Sequence, residues 1–245
     1  MSTIIFTAGA KGGTGKSTIL RFLITYLREN DLDPYLLDMD DESRTMRRYF
    51  PEAEWVETAK VSSNDILIQK VVAEGRKLIV ADLKAGTGRD TLLWWKDVPF
   101  EDLSAEYNVK FICILSITSH PDSVHSAMNW ATELKNKVSY VVCKNHKDGD
   151  VFSDYDHSNQ AVIFRTERNP IHVLIPELDA EYMAPLERKN LTVAEALKAS
   201  GAPSINDKEI EPILTEYMVR ARLRSFQRNI YKQLEPVLEL LKRGN

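Results

Sequence analysis

Two lysines, Lys11 and Lys16, bracket the run Gly12-Gly13-Thr14-Gly15, and two hydroxyl residues, Ser17 and Thr18, follow. Glycines at that density let a backbone turn so that successive N–H groups face inward, the arrangement that cradles phosphate oxygens. A lysine closing such a turn reaches the β- and γ-phosphates of a nucleotide, and the hydroxyl after it is placed to ligate Mg²⁺. Carboxylates come later in a fitting order. Asp38 and Asp40 follow an apolar run at residues 35–37, and Asp82 ends the run Leu78-Ile79-Val80-Ala81. Phosphoryl transfer needs a carboxylate near the metal and a group that places the attacking water. Together these residue types point to ATP, Mg²⁺ and hydrolysis.

Such groups work only if the fold brings them to one edge. Residues 3–8 (TIIFTA) read as a buried strand running into the glycine turn. A helix is predicted over 16–28, where Ile19, Leu20, Leu23, Ile24 and Leu27 fall at helical spacing. Strands are predicted at 35–37, 78–81, 111–115, 138–143 and 171–175, the last stopped by Pro176. Helical stretches are predicted over 67–74, ended by Gly75, and near 123–134. Strands alternating with helices give an α/β fold, a mostly parallel, doubly wound sheet flanked by helices. The apolar runs lack alternation, as strands buried on both faces do. In such a sheet ligands bind beyond the carboxyl ends of the strands, where the glycine turn, Asp38, Asp40 and Asp82 all fall. Alternate residues of a strand share a face, so Asp38 and Asp40 are expected to point the same way.

From about residue 205 the chain reads as helices only. A C-terminal helical segment, about 207–243, is expected to pack on a single domain spanning 1–245. Within it Val219, Leu223, Phe226, Ile230 and Leu234 share one face. Arg224, Arg228 and Lys232 fall on the opposite face, with Arg220 and Arg222 flanking, and Pro236 is expected to kink or end the helix. The whole chain has a net charge of −4, which gives no global attraction to nucleic acid or an anionic surface, so any DNA contact must come from this local patch. Cys113 and Cys143 lie far apart in apolar runs and read as buried small side chains, as in a reducing compartment. No run reaches the ~18 apolar residues of a membrane span, and the first residues read as a strand rather than a secretory leader; the expected location is the cytoplasm. Trp94-Trp95 reads as core, residues 146–157 with their His and Asp side chains as a solvated loop, and Ser119-His120-Pro121-Asp122 lacks a nucleophile-elbow pattern.

The run Lys11-Gly12-Gly13-Thr14-Gly15-Lys16-Ser17 fits the general phosphate-loop pattern G-x-x-x-x-G-K-[ST], except that Ala10 holds the first glycine position. Its early lysine makes it resemble the deviant Walker A loop, K-G-G-x-G-K-[ST], of the ParA/MinD family of P-loop ATPases in the SIMIBI class. The resemblance implies that Lys11 reaches across an ATP-sandwiched homodimer to the partner's phosphates. It implies that Asp40, in Asp38-Met39-Asp40, helps position the hydrolytic water while Asp38 lies close to the metal. The family often continues with Pro-Gln, where this chain has Asp41-Glu42. Asp82 looks like the Walker B aspartate that holds Mg²⁺ through water. The stretch Asp82-Leu83-Lys84-Ala85-Gly86-Thr87-Gly88 resembles the switch that follows it, with Lys84 where proline is common. Asn145 and Pro176-Glu177-Leu178 match the two places from which family members contact adenine. The implied function is slow ATP hydrolysis coupled to dimerisation, serving DNA partition or cargo positioning, with an unidentified cargo or activator protein. Sequence-independent DNA contact would use Arg220, Arg224, Arg228 and Lys232; membrane contact ranks last, because the C-terminal segment has few large apolar residues to spare. The first strand at residue 3 leaves no expectation of a preceding DNA-reading domain, as in small ParA-like proteins. Two other functions fit the same scaffold: an ATP-dependent metabolic ligase, dethiobiotin-synthetase-like or cobyrinate-amidase-like, and a nucleotide-gated binding module without significant hydrolysis.

Overall fold

The structure is a computed structural model and describes residues 1–9, 11–40, 44–58, 60–84 and 88–242. Ala10, Asp41, Glu42 and the switch residues Ala85, Gly86 and Thr87 lie outside the described residues.

The elements alternate as β1 (Ser2–Ala8), α1 (Lys16–Glu29), β2 (Tyr35–Met39), α2 (Thr45–Tyr49), β3 (Glu54–Trp55), α3 (Ile66–Val72), β4 (Leu78–Leu83), α4 (Gly88–Asp97), α5 (Phe100–Tyr107), β5 (Val109–Ile117), α6 (Pro121–Leu134), β6 (Ser139–Asn145), α7 (Ser153–His157), α8 (Asn159–Arg168) and β7 (Ile171–Ile175). The chain continues through α9 (Ala180–Arg188), α10 (Val193–Lys198), β8 (Ser204–Ile205), β9 (Lys208–Glu209) and α11 (Tyr217–Lys242). Seven strands form one sheet in the order β3-β2-β4-β1-β5-β6-β7, and every pair in it is parallel.

The pleat sorts the apolar runs onto two cores. Ile5, Leu36, Val80, Ile112 and Ile114 face α1, α9, α10 and α11. Ile4, Phe6, Ile79, Ala81, Phe111 and Cys113 face α3 to α8. Both faces are covered, which is why the runs lack polar alternation. Trp94 and Trp95 belong to the second core, with the Trp95 ring stacked on Phe100 at 3.8 Å between centroids. Cys113 and Cys143 are buried and unpaired. In the 146–157 stretch, Asp156 pairs with both Lys144 and Arg165.

Three expectations need correction. The C-terminal region is not helical throughout: it opens with the β8–β9 hairpin and a 3₁₀ turn at Pro212–Thr215 before α11. Pro236 does not end that helix, which runs on to Lys242. Proline removes one hydrogen bond, but Leu234, Val237, Leu238 and Leu241 stay buried on either side of it. Packing of that stripe, at roughly 1.5–3 kcal/mol per buried large side chain, outweighs one lost bond. Finally, β2 runs two residues further than expected, so Asp38 lies inside the strand and Asp40 just beyond it.

α11 packs along α1 and β7. The Phe22 and Phe226 rings meet edge-on at 5.6 Å, and Tyr231 donates to Thr25 Oγ1 at 3.0 Å. The Gln233 carboxamide also caps the sheet edge, accepting from the Leu174 N–H at 2.6 Å and donating to its carbonyl at 3.3 Å. Among the described residues no helix is long and apolar enough to cross a membrane.

Candidate nucleotide-binding site

The carboxyl end of β1 runs through the glycine turn into α1, and the backbone there requires glycine. Gly13 and Gly15 have φ of +68° and +99°. A Cβ on Gly15 would stand 2.3 Å from Asn145 Nδ2, so a side chain is excluded by contact as well as by backbone angle. No side chain caps α1. Its first N–H groups therefore face the cleft with unspent donors and the positive end of the helix dipole, a ready site for an anion.

Neighbouring strands hold the loop from behind. The Thr14 carbonyl accepts from Ser116 Oγ at 2.8 Å and from Asn145 Nδ2 at 3.1 Å. Ser116 lies on β5 and Asn145 at the end of β6, so two strands fix one loop carbonyl. Lys16 is buried, and its Nζ donates to the Lys11 carbonyl at 3.1 Å. Burial pulls its ammonium below the ordinary lysine value, while the charges of Asp82 and Asp40 pull it back up.

The pleat gathers the carboxylates. Asp38 and Asp82 are partners in the β2–β4 register, and both sit on the α1 face of the sheet. Ser17 Oγ donates to Asp82 Oδ2 at 2.7 Å, and Thr7 Oγ1 donates to Asp82 Oδ1 at 2.8 Å. Thr7 in turn accepts from the Leu83 N–H at 3.1 Å. Burial pushes the Asp82 carboxyl up to about 6, against these two hydrogen bonds, and the nearby Asp38 charge adds to the rise. Asp38 is fully buried and accepts from the backbone N–H of Asp40 at 3.2 Å and of Arg47 at 2.8 Å. It ties Asp40, at the end of β2, to Arg47 of α2. Asp40 lines the cleft. The two aspartates thus divide, one spent on backbone and one at the cleft wall, because β2 ends between them.

The cleft measures about 620 Å³. Gly12, Gly13, Thr14, Gly15, Lys16, Ser17 and Thr18 form its floor, and Asp40, Asp82 and Asn145 join them. Lys11 is exposed on the loop's outer side, where its Nζ lies 3.2 Å from Asp122 in the first turn of α6. Pro176 and Leu178 are not in the described lining; Leu178 packs against the α1-side core instead. Five residues of the lining were not singled out in sequence: Arg21, Thr45, Arg48, Tyr49 and Glu187. Lys147 is another, with Nζ 3.7 Å from where a Gly13 Cβ would stand. A signal for Arg21 was present, since Thr18, Arg21 and Thr25 make a polar line at helical spacing beside the apolar stripe of α1.

No protein-family model matches the chain, and no curated protein matches it in sequence. Solved structures do match in shape. One is the MinD cell division protein of Aquifex aeolicus in its complex with MinC, at 13% identity over 93% of this chain and 95% of that one, with a TM-score of 0.50. Another is a putative plasmid partition protein from Borrelia burgdorferi B31 bound to AMPPNP, at 14% identity over 92% of this chain and 99% of that one, again with a TM-score of 0.50. With a parallel seven-stranded sheet and a glycine loop between its central strand and first helix, the chain has the P-loop NTPase fold of the MinD and plasmid-partition type.

Proposed function

We propose that this chain is an ATPase of the ParA/MinD kind, which binds ATP with Mg²⁺, hydrolyses it slowly and forms a homodimer while ATP is bound, in the service of partition or cargo positioning. The observation that carries the reading is the convergence on one cleft of an uncapped helix start, Lys16, the Ser17–Asp82 contact of 2.7 Å and Asp40. In this reading the loop amides and Lys16 bind the β- and γ-phosphates, Lys16 turning from the Lys11 carbonyl to do so. Ser17 and Asp82 would hold Mg²⁺, Asp82 through water, since hydroxyl and carboxylate oxygens are the hard donors it takes. Mg²⁺, when bound, would offset the charge that develops on the phosphates. Asp40 orients the attacking water from the cleft wall. Asp38, with its oxygens committed to the backbone amides of Asp40 and Arg47, sets the position of Asp40. Lys11 acts across the dimer, and Asn145 serves the base side of the cleft. The two similar structures, one taken with MinC and the other with AMPPNP, favour partner binding and nucleotide binding for this chain too.

A second reading, a ligase that activates a small carboxylate with ATP, is favoured by the arginines Arg21 and Arg48 in the same cleft. Titration calorimetry with ATP, light scattering and phosphate release separate the readings. The expected result is one ATP per chain, an ATP-dependent dimer and slow turnover, with Lys16→Ala losing two to three decades of affinity, about 3–4 kcal/mol. Binding and dimerisation without turnover would make it a gated module. Turnover that rises only with a small carboxylate would make it a ligase. Unchanged ATP affinity in Lys16→Ala would sink the phosphate-loop reading altogether.

A further inference from the structure

Beyond the phosphate floor the cleft runs on along α1 to a second group of charged residues. Arg21 follows Thr18 by three positions on the same side of the helix, about 4.5 Å further along its axis. Its guanidinium lies 4.2 Å over the Tyr49 ring and donates to Thr18 Oγ1 at 3.0 Å. Arg48, exposed on α2, donates to Thr45 Oγ1 at 3.3 Å. Both arginines line the cleft, as do Tyr49, which follows Arg48 in sequence, and Glu187 of α9. Among the described residues neither arginine forms an ion pair, and Glu187 stands outside ion-pair distance of both.

The two guanidinium groups line one cleft without an ion-pair partner among the described residues, and the Arg48 charge acts against that of Arg21. Burial depresses the Arg21 value, the Arg48 charge depresses it further, and Tyr49 and Glu187 offset part of this. Two arginines in one cleft, one stacked on a ring and neither spent on an ion pair, can hold a planar or tetrahedral oxyanion through forked N–H donors. The triphosphate is already served one helical turn away by the loop amides and Lys16, with Lys147 near Gly13.

We propose that Arg21 and Arg48 form a second oxyanion subsite, contiguous with the nucleotide cleft, that takes the phosphate or carboxylate of a second small ligand while the nucleotide is bound. Tyr49 fixes the plane of Arg21. Glu187 offers an acceptor to a hydroxyl or amino group next to the anionic group, and its charge disfavours a polyanion. The proposal rests on the reading of the glycine loop as a nucleotide site.

The test uses the full chain. AMPPNP with Mg²⁺ is titrated first by calorimetry; then inorganic phosphate and malate are titrated separately into protein saturated with it. At least one probe is expected to bind once per chain, and Arg48→Ala to weaken it tenfold or more, with AMPPNP affinity within about twofold of wild type. Arg48 is exposed, so this variant tests the site without touching the core; Arg21→Lys, which keeps the charge and loses the fork, is expected to weaken the probe as well. Binding of phosphate alone or of malate alone identifies the anion type, and either supports the proposal. It is overturned if neither probe binds the saturated protein, if Arg48→Ala leaves binding unchanged, or if a probe displaces AMPPNP, since the arginines would then serve the nucleotide's own phosphates. Should AMPPNP itself fail to bind, the nucleotide reading falls separately, and the difference between wild type and Arg48→Ala in nucleotide-free protein still reports on the arginine pair.

Discussion

The phosphate loop and the C-terminal helix both gather cations, and they hold them in opposite ways. Lys16 is buried with its ammonium bonded to a loop carbonyl, among carboxylates whose own oxygens are taken up. Arg224, Arg228 and Lys232 stand exposed along α11. Two arginines that sequence spacing grouped with them are spent on the protein instead. Arg220 donates to the carbonyls of Ala196 at 3.1 Å and Leu197 at 2.7 Å, closing the end of α10, and Arg222 bonds the Tyr182 hydroxyl. Spacing therefore tells which cations share a face, and only the surrounding polar groups tell which are left to meet a ligand. A cation in a built polar site is expected to matter by orders of magnitude; one on a solvated face, by a few-fold.

The largest effect is expected where the site does chemistry. Asp40→Ala should lower ATP turnover by 10²–10⁴-fold, the range for loss of a group that handles the reacting water, while ATP affinity shifts only a few-fold. Phosphate release and titration on the same sample read both quantities. Wild-type turnover in this variant would move the role to another carboxylate and blur the contrast between cleft and surface.

Next comes the buried carboxylate. Asp82 is held at about 6 against an ordinary 3.8. The folded state thus binds a proton that the unfolded state has released between these values. The sign follows: this contribution to stability is present in full below about pH 4 and is lost as pH rises through about 6. Its size is about 3 kcal/mol. Urea melts of the nucleotide-free protein from pH 4 to 7 should show wild type losing that much relative to Asp82→Asn across the window. Parallel curves for the two proteins would mean that Ser17 and Thr7 hold the carboxylate charged without cost.

Lys11 sits between the two regimes. Its ion pair with Asp122 is solvent-exposed, with side chains 49% and 78% accessible, and such pairs are worth about 1 kcal/mol or less. Asp122 is therefore too weak a partner to keep Lys11 from a phosphate. Lys11→Ala should leave monomer ATP affinity within about threefold and weaken the ATP-dependent dimer about tenfold, about 1.4 kcal/mol, by light scattering. A normal dimer would return Lys11 to the class of surface cations.

The same division explains what could be read in the sequence. The loop, its lysines and Asp82 were legible because a glycine run, a strand end and a helix start are local features. The sheet was legible because β1, β4, β5 and β6 are buried on both faces and carry unbroken apolar runs. Strand alternation points Asp38 and Asp40 the same way, but β2 ends at Met39, so the rule holds for Asp38 and not for Asp40. Ser116 and Asn145 meet at the Thr14 carbonyl from positions 102 and 131 residues away, and nothing in a linear pattern brings them there. The Tyr49–Arg21 stack joins α2 to α1 by the same kind of distant contact. Arg220 looked like surface because its acceptors, the last carbonyls of α10, are backbone and leave no mark on the sequence.

The smallest effect is expected on α11. DNA affinity there would rest on Arg224, Arg228 and Lys232 alone, with Arg220 removed by its carbonyl partners. Three exposed cations per chain give weak binding, steeply dependent on salt and nearly blind to base sequence, because only phosphates are contacted. Two such faces in an ATP-bound dimer double the contacts and make the second engagement intramolecular, so binding should tighten with nucleotide. The Arg224→Glu/Arg228→Glu double variant should fold normally, as both residues lie opposite the buried stripe, and should lose several-fold in affinity at low salt by fluorescence anisotropy with two DNA duplexes of unrelated sequence. A slope against log salt near that of six phosphates for the dimer would sharpen the picture; a slope near zero, or a double variant that binds like wild type, would leave α11 a packing element whose outer cations only keep it hydrated.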